Sequence, residues 1–291
     1  MTPTGSATLA APCLALDIGA TKIDGALVAR DGAVLRRERL KVHELGRDII
    51  GAAALMLRRV AGDEPVSLLG VGCAGPMTRG GEEVSPLNIP AWRNFPLRAQ
   101  LRERLGVEVF VDGDARALAL AEGTYGAAGE EDSYLSMVVS TGIGGGLVMD
   151  GRLIDGATGN AGHVGHINVV NNGRKCACGS YGCLEAEASG GAIEAVTGRP
   201  ASEADAATRQ RTGELVGRAV GTLASVLDFD RCFIAGSVAL GFGDEFFDAA
   251  NRGARSMAMM EYSAQLEVRP SGLGGDGPIL GAALVGWRGA T

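Results

Sequence analysis

The chain has no run of the roughly 20 apolar residues that a bilayer-spanning helix requires, so no membrane anchor is expected. It also lacks an excess of positive charge. Lys and Arg number 27 against 34 Asp and Glu, for a net charge of −7, which argues against nucleic acid or an anionic membrane as the main partner. The opening stretch MTPTGSATLAAPCLALDIGA is mildly apolar but has no basic leading region. It reads as a short disordered lead running into a strand, not a signal peptide, and a cytoplasmic protein is the expectation. No G-x-x-x-x-G-K-[ST] run occurs, which excludes the P-loop families, and no repeat of solenoid period is evident.

The 291 residues suffice for one large domain or two ordinary ones. With 46% apolar and 21% charged residues the composition is that of a globular protein. The 46 glycines are about twice the usual share and follow no collagen-like period, so they mark tight backbone positions. Of the 6 cysteines, Cys13, Cys73 and Cys232 each stand alone in an apolar, strand-like stretch, where free cysteine serves as a small buried hydrophobe. Cys176, Cys178 and Cys183 are clustered, which in a reducing compartment points to metal before disulfide.

Short β-branched or apolar runs predict strands at 13–18, 25–29, 66–72, 107–111, 134–140, 145–149, 231–236 and 265–270. Apolar spacing of three and four predicts helices at 47–61, 97–105, 114–124, 210–228, 243–257 and 277–288. Alternating strands and helices give an α/β fold, and residues 13–40 read as an antiparallel meander leading into α/β units. The stretch 155–200 is rich in Gly, Asn and Cys and weak in periodicity. So long an insert needs something else to order it, and a metal would do so.

Two segments join a buried strand to a small-residue turn, LALDIGATKID (14–24) and VVSTGIGGGLV (138–148). Backbone N–H groups of such turns can cradle phosphate oxygens, with Thr21 and Thr141 adding hydroxyls and Lys22 a cation. Each turn alone reads first as a hairpin with strand-packing glycines. The pair, with a third small-residue turn at Gly236 after another strand, favours nucleotide binding. Asp17, beside Gly19, either holds Mg²⁺ through water or caps its own turn.

The segment GHINVVNNGRKCACGSYGCLE contains H-x9-C-x-C-x4-C. One imidazole and three thiolates, from His166, Cys176, Cys178 and Cys183, suit tetrahedral Zn²⁺ with no open position, hence a structural site. His163 is either a further polar group near the metal or a substrate contact. In VDGDARALALAE (111–122), Asp114 is either a helix N-cap or the proton acceptor of a phosphoryl transferase.

Together, D-I-G-A-T-K, N-I-P-A-W, G-D-A-R-A, S-T-G-I-G-G-G, G-N-A-G-H-V-G-H and C-A-C-G-S-Y-G-C-L-E resemble, in this order, the ROK proteins (repressors, open reading frames, kinases). The resemblance runs to the closing GGDGPILGAALVG. It implies a two-domain α/β actin-like ATPase fold of hexokinase type (ribonuclease H-like), with a cleft between the domains. The implied domains are 1–117 joined by the helix 278–291, and 118–277 carrying a zinc-binding insert at 160–187. It further implies transfer of the ATP γ-phosphate to a sugar hydroxyl, in a cytoplasmic homodimer.

By position, Asp114 matches the family's catalytic base. Asp17, Gly19, Thr21, Lys22, Thr141 and Gly142 match the phosphate and Mg²⁺ loops, and Gly236 the nucleoside side. Gly75, Asn88, His163, His166 and Glu185 fall on the sugar side, with His166 also a zinc ligand. The family's catalytic turn is usually Asn-Asp; here it is Gly113-Asp114, which removes one sugar contact, and Arg116 replaces a small polar residue. His163 stands where a sugar-binding Glu is common. G-H-V-G-H and G-S-V-A-L resemble the N-acetylmannosamine kinases, tilting the acceptor towards an N-acylated hexosamine, with glucose, a cyclitol or another polyol as alternatives. A catalytically inactive sugar sensor is the competing reading. A DNA-binding regulator is disfavoured, since the first phosphate strand begins near residue 13 and leaves no room for a helix-turn-helix.

Overall fold

The first strand, β1 (Cys13–Ile18), is buried along its whole length, as an apolar run must be when both faces of its sheet are covered. In this computed structural model, which describes residues 11–19, 21–45, 48–87, 89 and 91–291, the chain forms two compact units. One comprises the described residues up to Ala121 with Asp155–Asn160 and Gly275–Thr291, the other Glu122–Ile154 with Ala161–Gly274. Among the described residues, no helix is long and apolar enough to cross a membrane.

In the first unit β2 (Lys22–Val28) and β3 (Val34–Lys41) continue β1 as the expected antiparallel meander. The charged residues of β3 (VLRRERLK) are those of an edge strand that must resist further pairing. β4 (Leu68–Cys73) and β5 (Glu108–Gly113) add in parallel to β1, giving the order β3-β2-β1-β4-β5. Helices α1 (Ile49–Ala61), α2 (Leu97–Leu105), α3 (Asp114–Tyr125) and the C-terminal helix Gly277–Gly289 complete it. The Asp48 side chain caps α1 by accepting the Gly51 N–H. The C-terminal helix lies so close to β4 that a Cβ on Gly70 would stand 1.8 Å from the Ala282 carbonyl oxygen.

The second unit repeats this plan. β6 (Tyr134–Val139), β7 (Ile143–Met149) and β8 (Arg152–Leu153) form the meander. β9 (Arg231–Ala235) and β10 (Glu267–Pro270) extend it in parallel, giving β10-β9-β6-β7-β8. Around it lie α4 (Leu184–Ala188), α5 (Gly190–Thr197), α6 (Ala206–Leu227), α7 (Ser237–Phe242) and α8 (Asp244–Met257).

The predicted strands and helices are present to within a few residues, while β8 and α7 were not predicted. α6 begins at Ala206 and not at 210, because the Asp205 side chain caps it through the Thr208 N–H. Two helices, α4 and α5, occupy the end of the stretch expected to be without structure. At 5 and 8 residues they are too short for a helical period to show.

Candidate active site

In the first unit the candidate residues gather where β1, β4 and β5 end, the carboxyl edge at which open α/β sheets take ligands. Asp17, Gly72 and Asp112 are register partners across these strands. A Cβ on Gly72 would lie 3.5 Å from both Asp17 Oδ1 and the Asp114 Cα, so the bare glycine lets the two carboxylate-bearing residues flank one point. Asp17 is 8% exposed. Burial, followed by the charges of Asp114 and Asp24, raises its pKa to about 7, against the pull of Lys22 and Arg37. A cation beside it would reverse that penalty. Asp114 opens α3, and its Oδ1 accepts the Ala115 N–H at 2.8 Å, so a local backbone bond fixes one carboxylate oxygen.

Between β1 and β2 the Gly19 N–H donates to the Lys22 carbonyl at 3.0 Å, leaving Thr21 and Lys22 exposed. Gly75 is half-buried just beyond β4. Asn88 lies outside the described residues. Further along the chain, Trp92 is buried and stacked on Phe95 with ring centroids 4.6 Å apart.

The second unit offers the equivalent turn between β6 and β7. The Ser140 N–H donates to the Gly142 carbonyl at 3.0 Å, and the N–H groups of Gly190 and Gly191 donate to the Ser140 and Thr141 carbonyls at 2.7 and 3.1 Å. The Glu185 carboxylate accepts the Ile143 N–H at 2.9 Å, and a Cβ on Gly142 would stand 2.8 Å from its Oε2. Gly142 is therefore needed to admit Glu185, and Glu185 holds the turn, a role the motif did not disclose. Gly236 has φ +104°, and a Cβ there would meet the Val139 carbonyl at 2.3 Å. Its missing side chain lets the β9–α7 turn pass against the end of β6, where the Ser140 and Ser237 hydroxyls are 3.0 Å apart.

The turn carrying His163 and His166 is pressed onto β7. A Cβ on Gly165 would come within 2.2 Å of the Ile143 carbonyl and 3.3 Å of the Glu185 Cβ. His163 is exposed and His166 half-buried, their rings 6.0 Å apart. The ligand atoms of His166, Cys176, Cys178 and Cys183 all lie within 4.8 Å of one another. Cys178 and Cys183 Sγ are 3.7 Å apart and Cys176 Sγ is 3.6 Å from His166 Nδ1. Zn–S bonds near 2.3 Å and Zn–N bonds near 2.0 Å place tetrahedral ligands about 3.5–3.8 Å apart. These four residues could therefore hold zinc, and the sulfur spacing is far too long for a disulfide. His163 is not one of the four.

Outside this cluster, Glu187 is a carboxylate that the sequence pattern left unassigned. It is buried and accepts the Arg174 N–H at 2.6 Å, Arg174 Nη1 at 2.9 Å and Arg211 Nη2 at 2.7 Å, tying the cysteine loop to α4 and α6. Its only sequence signal was a second acid two places after Glu185.

The sequence matches the profile of the ROK family over residues 13–287. The chain belongs to the ROK family. This ROK chain is 38% identical to a glucokinase of Thermotoga maritima over 184 residues, which span 62% of the chain but only 58% of that enzyme. It is 31% identical to an N-acetylmannosamine kinase of Haemophilus influenzae over 249 residues, 79% of this chain and 82% of that one. Its fold superposes with a TM-score of 0.85 on the ROK family glucokinase of Streptomyces griseus in complex with glucose and AMPPNP. That match has 27% identity and covers 95% of this chain and 99% of the other. The ROK chain thus has the two-domain α/β actin-like ATPase fold that the motifs implied.

Proposed function

We propose that this ROK protein is a sugar kinase that transfers the γ-phosphate of ATP to the 6-hydroxyl of a hexose or N-acylhexosamine. The observation that carries the reading is the pair Asp17 and Asp114, flanking Gly72 at the carboxyl edge of the first sheet. Asp114 takes the proton of the attacking hydroxyl as the sugar oxygen bonds to the γ-phosphorus. The bond from that phosphorus to ADP breaks, and ADP leaves with the electron pair. Mg²⁺, held through water by Asp17, would offset charge on the phosphate oxygens. Gly19, Thr21, Lys22, Thr141 and Gly142 supply backbone and side-chain donors to the phosphates, and Gly236 leaves room for the nucleoside. Asn88, Gly75, His163, His166 and Glu185 orient the sugar, while His166, Cys176, Cys178 and Cys183 hold a structural zinc. The working form on this reading is a cytoplasmic homodimer.

The test is ADP release by the zinc-loaded protein with Mg-ATP and a panel of hexoses, N-acetylhexosamines and cyclitols. Turnover on a hexose or N-acetylhexosamine, with phosphate on its 6-oxygen, is the expected result. Turnover on none of the panel would overturn the reading in favour of a sugar-binding protein without catalysis, and turnover on a cyclitol alone would change the acceptor.

A further inference from the structure

Asp114 lies midway between two residues held by one ion cluster. Arg116 is only 5% exposed although it is an arginine next to a turn. Its Nε donates to Asp112 Oδ1 at 2.5 Å, and its Nη2 donates to Asp112 Oδ2 at 3.2 Å and to Asp155 Oδ1 at 2.6 Å. Arg288, on the C-terminal helix, approaches the same two carboxylates, with nitrogens 3.8 Å from Asp112 and 3.5 Å from Asp155. Two guanidinium groups thus face two carboxylates.

The partners come from separate parts of the chain. Asp112 ends β5, Arg116 is in the first turn of α3, and Asp155 opens the short return Asp155–Asn160 into the first unit. The far end of that return is held as well, because the Asn160 side chain accepts the Met77 N–H at 3.0 Å and donates to the Met77 carbonyl at 2.8 Å. Gly113 gives the clamp room. A Cβ there would lie 3.2 Å from Arg116 Cδ and 3.5 Å from Cγ, so the stem of Arg116 fills the side of the turn onto which a residue at 113 would project.

We propose that Arg116 is a positioning residue, whose fork on Asp112 and Asp155 fixes the turn that presents Asp114 to the acceptor hydroxyl. A planar guanidinium fixes direction as well as distance. The catalytic part rests on the proposed kinase reading. A misplacement of about 1 Å at a reacting group can lower the rate about 100-fold, so a clamp two residues to either side of Asp114 acts on kcat.

Two readouts on the full 291-residue chain test this. The first needs no substrate and follows hydrogen exchange of peptides covering 112–118. Asp155→Asn, at a half-exposed position, removes the charge of one arm and so weakens it with little risk to folding, and Arg116→Met removes the fork. About tenfold faster exchange in this turn is expected for both, with the central strands of the first unit unchanged. Unchanged exchange in a folded Asp155→Asn protein would overturn the clamp. The second readout is steady-state phosphorylation. The expected result is a kcat loss of about tenfold or more with KM for ATP within about twofold. Arg116→Lys should recover only part, since an ammonium cannot form the fork. The losses in Arg116→Met and Asp155→Asn should also be less than additive when combined. Wild-type kcat in the folded variants, or losses that multiply, would overturn the positioning role. Absence of turnover in the wild type would instead strike the kinase reading, and the exchange experiment would still decide on the clamp.

Discussion

At the scale of the residue, two buried aspartates on neighbouring strands behave in opposite ways. Among the described residues Asp17 forms no salt bridge, and burial, with the charges of Asp114 and Asp24, raises its pKa. Asp24, its register partner on β2, receives Arg37 Nε at 2.8 Å, Arg37 Nη2 at 2.5 Å and Arg39 Nε at 2.8 Å. Burial pushes Asp24 up, but those hydrogen bonds and charges outweigh it and hold its pKa below the usual carboxylate range. A group depressed on folding contributes stability above its unfolded pKa of about 3.9, and that contribution is lost as pH falls through the folded value. Asp24→Asn should therefore lower the urea midpoint at pH 7, and the gap from wild type should close as the pH is taken below about 4. A gap that did not change with pH would show that the substitution acts through packing alone.

Residue roles were legible where chemistry and position coincide. The cysteine cluster stood out because closely spaced thiols have few other uses, whereas Asp17 and Asp114 allowed capping equally and became candidates only through the ROK-like motifs around them. Gly72, Asp155 and Glu187 did not, because their importance comes from neighbours far away in sequence. Gly72 matters only through the two aspartates beside it, and Asp155 only through Arg116 and Arg288.

Among the elements, the second unit depends on how closely α6 and α8 approach. A Cβ on Gly213, Gly217 or Gly221 would stand 2.4, 1.9 or 2.3 Å from a carbonyl oxygen of α8, and one on Gly253 would stand 2.4 Å from the Glu214 carbonyl of α6. Alanine is the better helix former by about 1 kcal/mol, yet here it would force the two backbones apart. Overpacking of this kind costs about 1–3 kcal/mol, so Gly217→Ala should lower Tm despite its higher propensity. A raised Tm in calorimetry would mean that the helices separate freely.

The cysteine loop is held from two sides, by the prospective metal and by Glu187 with Arg174 and Arg211. On the proposed reading, removing zinc with a chelator should lower Tm. It should also weaken sugar binding in titration calorimetry, because His166 is one of the four residues that could hold the metal and its turn packs on Glu185. Normal sugar affinity in a chelated but folded protein would separate the metal from the sugar site. Helices α4 and α5, which follow this loop, were the elements least visible in the sequence. They are short, and α5 begins with Gly190 and Gly191, whose N–H groups bond the β6–β7 turn.

The whole molecule is built twice on one plan. Each sheet carries a meander with two parallel strands added to its first strand. Each also has a glycine turn between the first two strands, at Gly19 in one and Gly142 in the other. The alternation of strands and helices made the fold class readable, and the motifs made the family readable. The duplication itself was hidden, because the two halves share strand order while differing in sequence and in the lengths of their insertions.

On the proposed kinase reading, Asp114 accepts the proton during phosphoryl transfer. The most direct test is Asp114→Asn, measured by sugar-dependent ADP release alongside sugar binding by calorimetry. A fall in kcat of about 100-fold or more is expected, with sugar affinity within a few-fold of wild type. Retention of near wild-type kcat by a folded Asp114→Asn protein would contradict it.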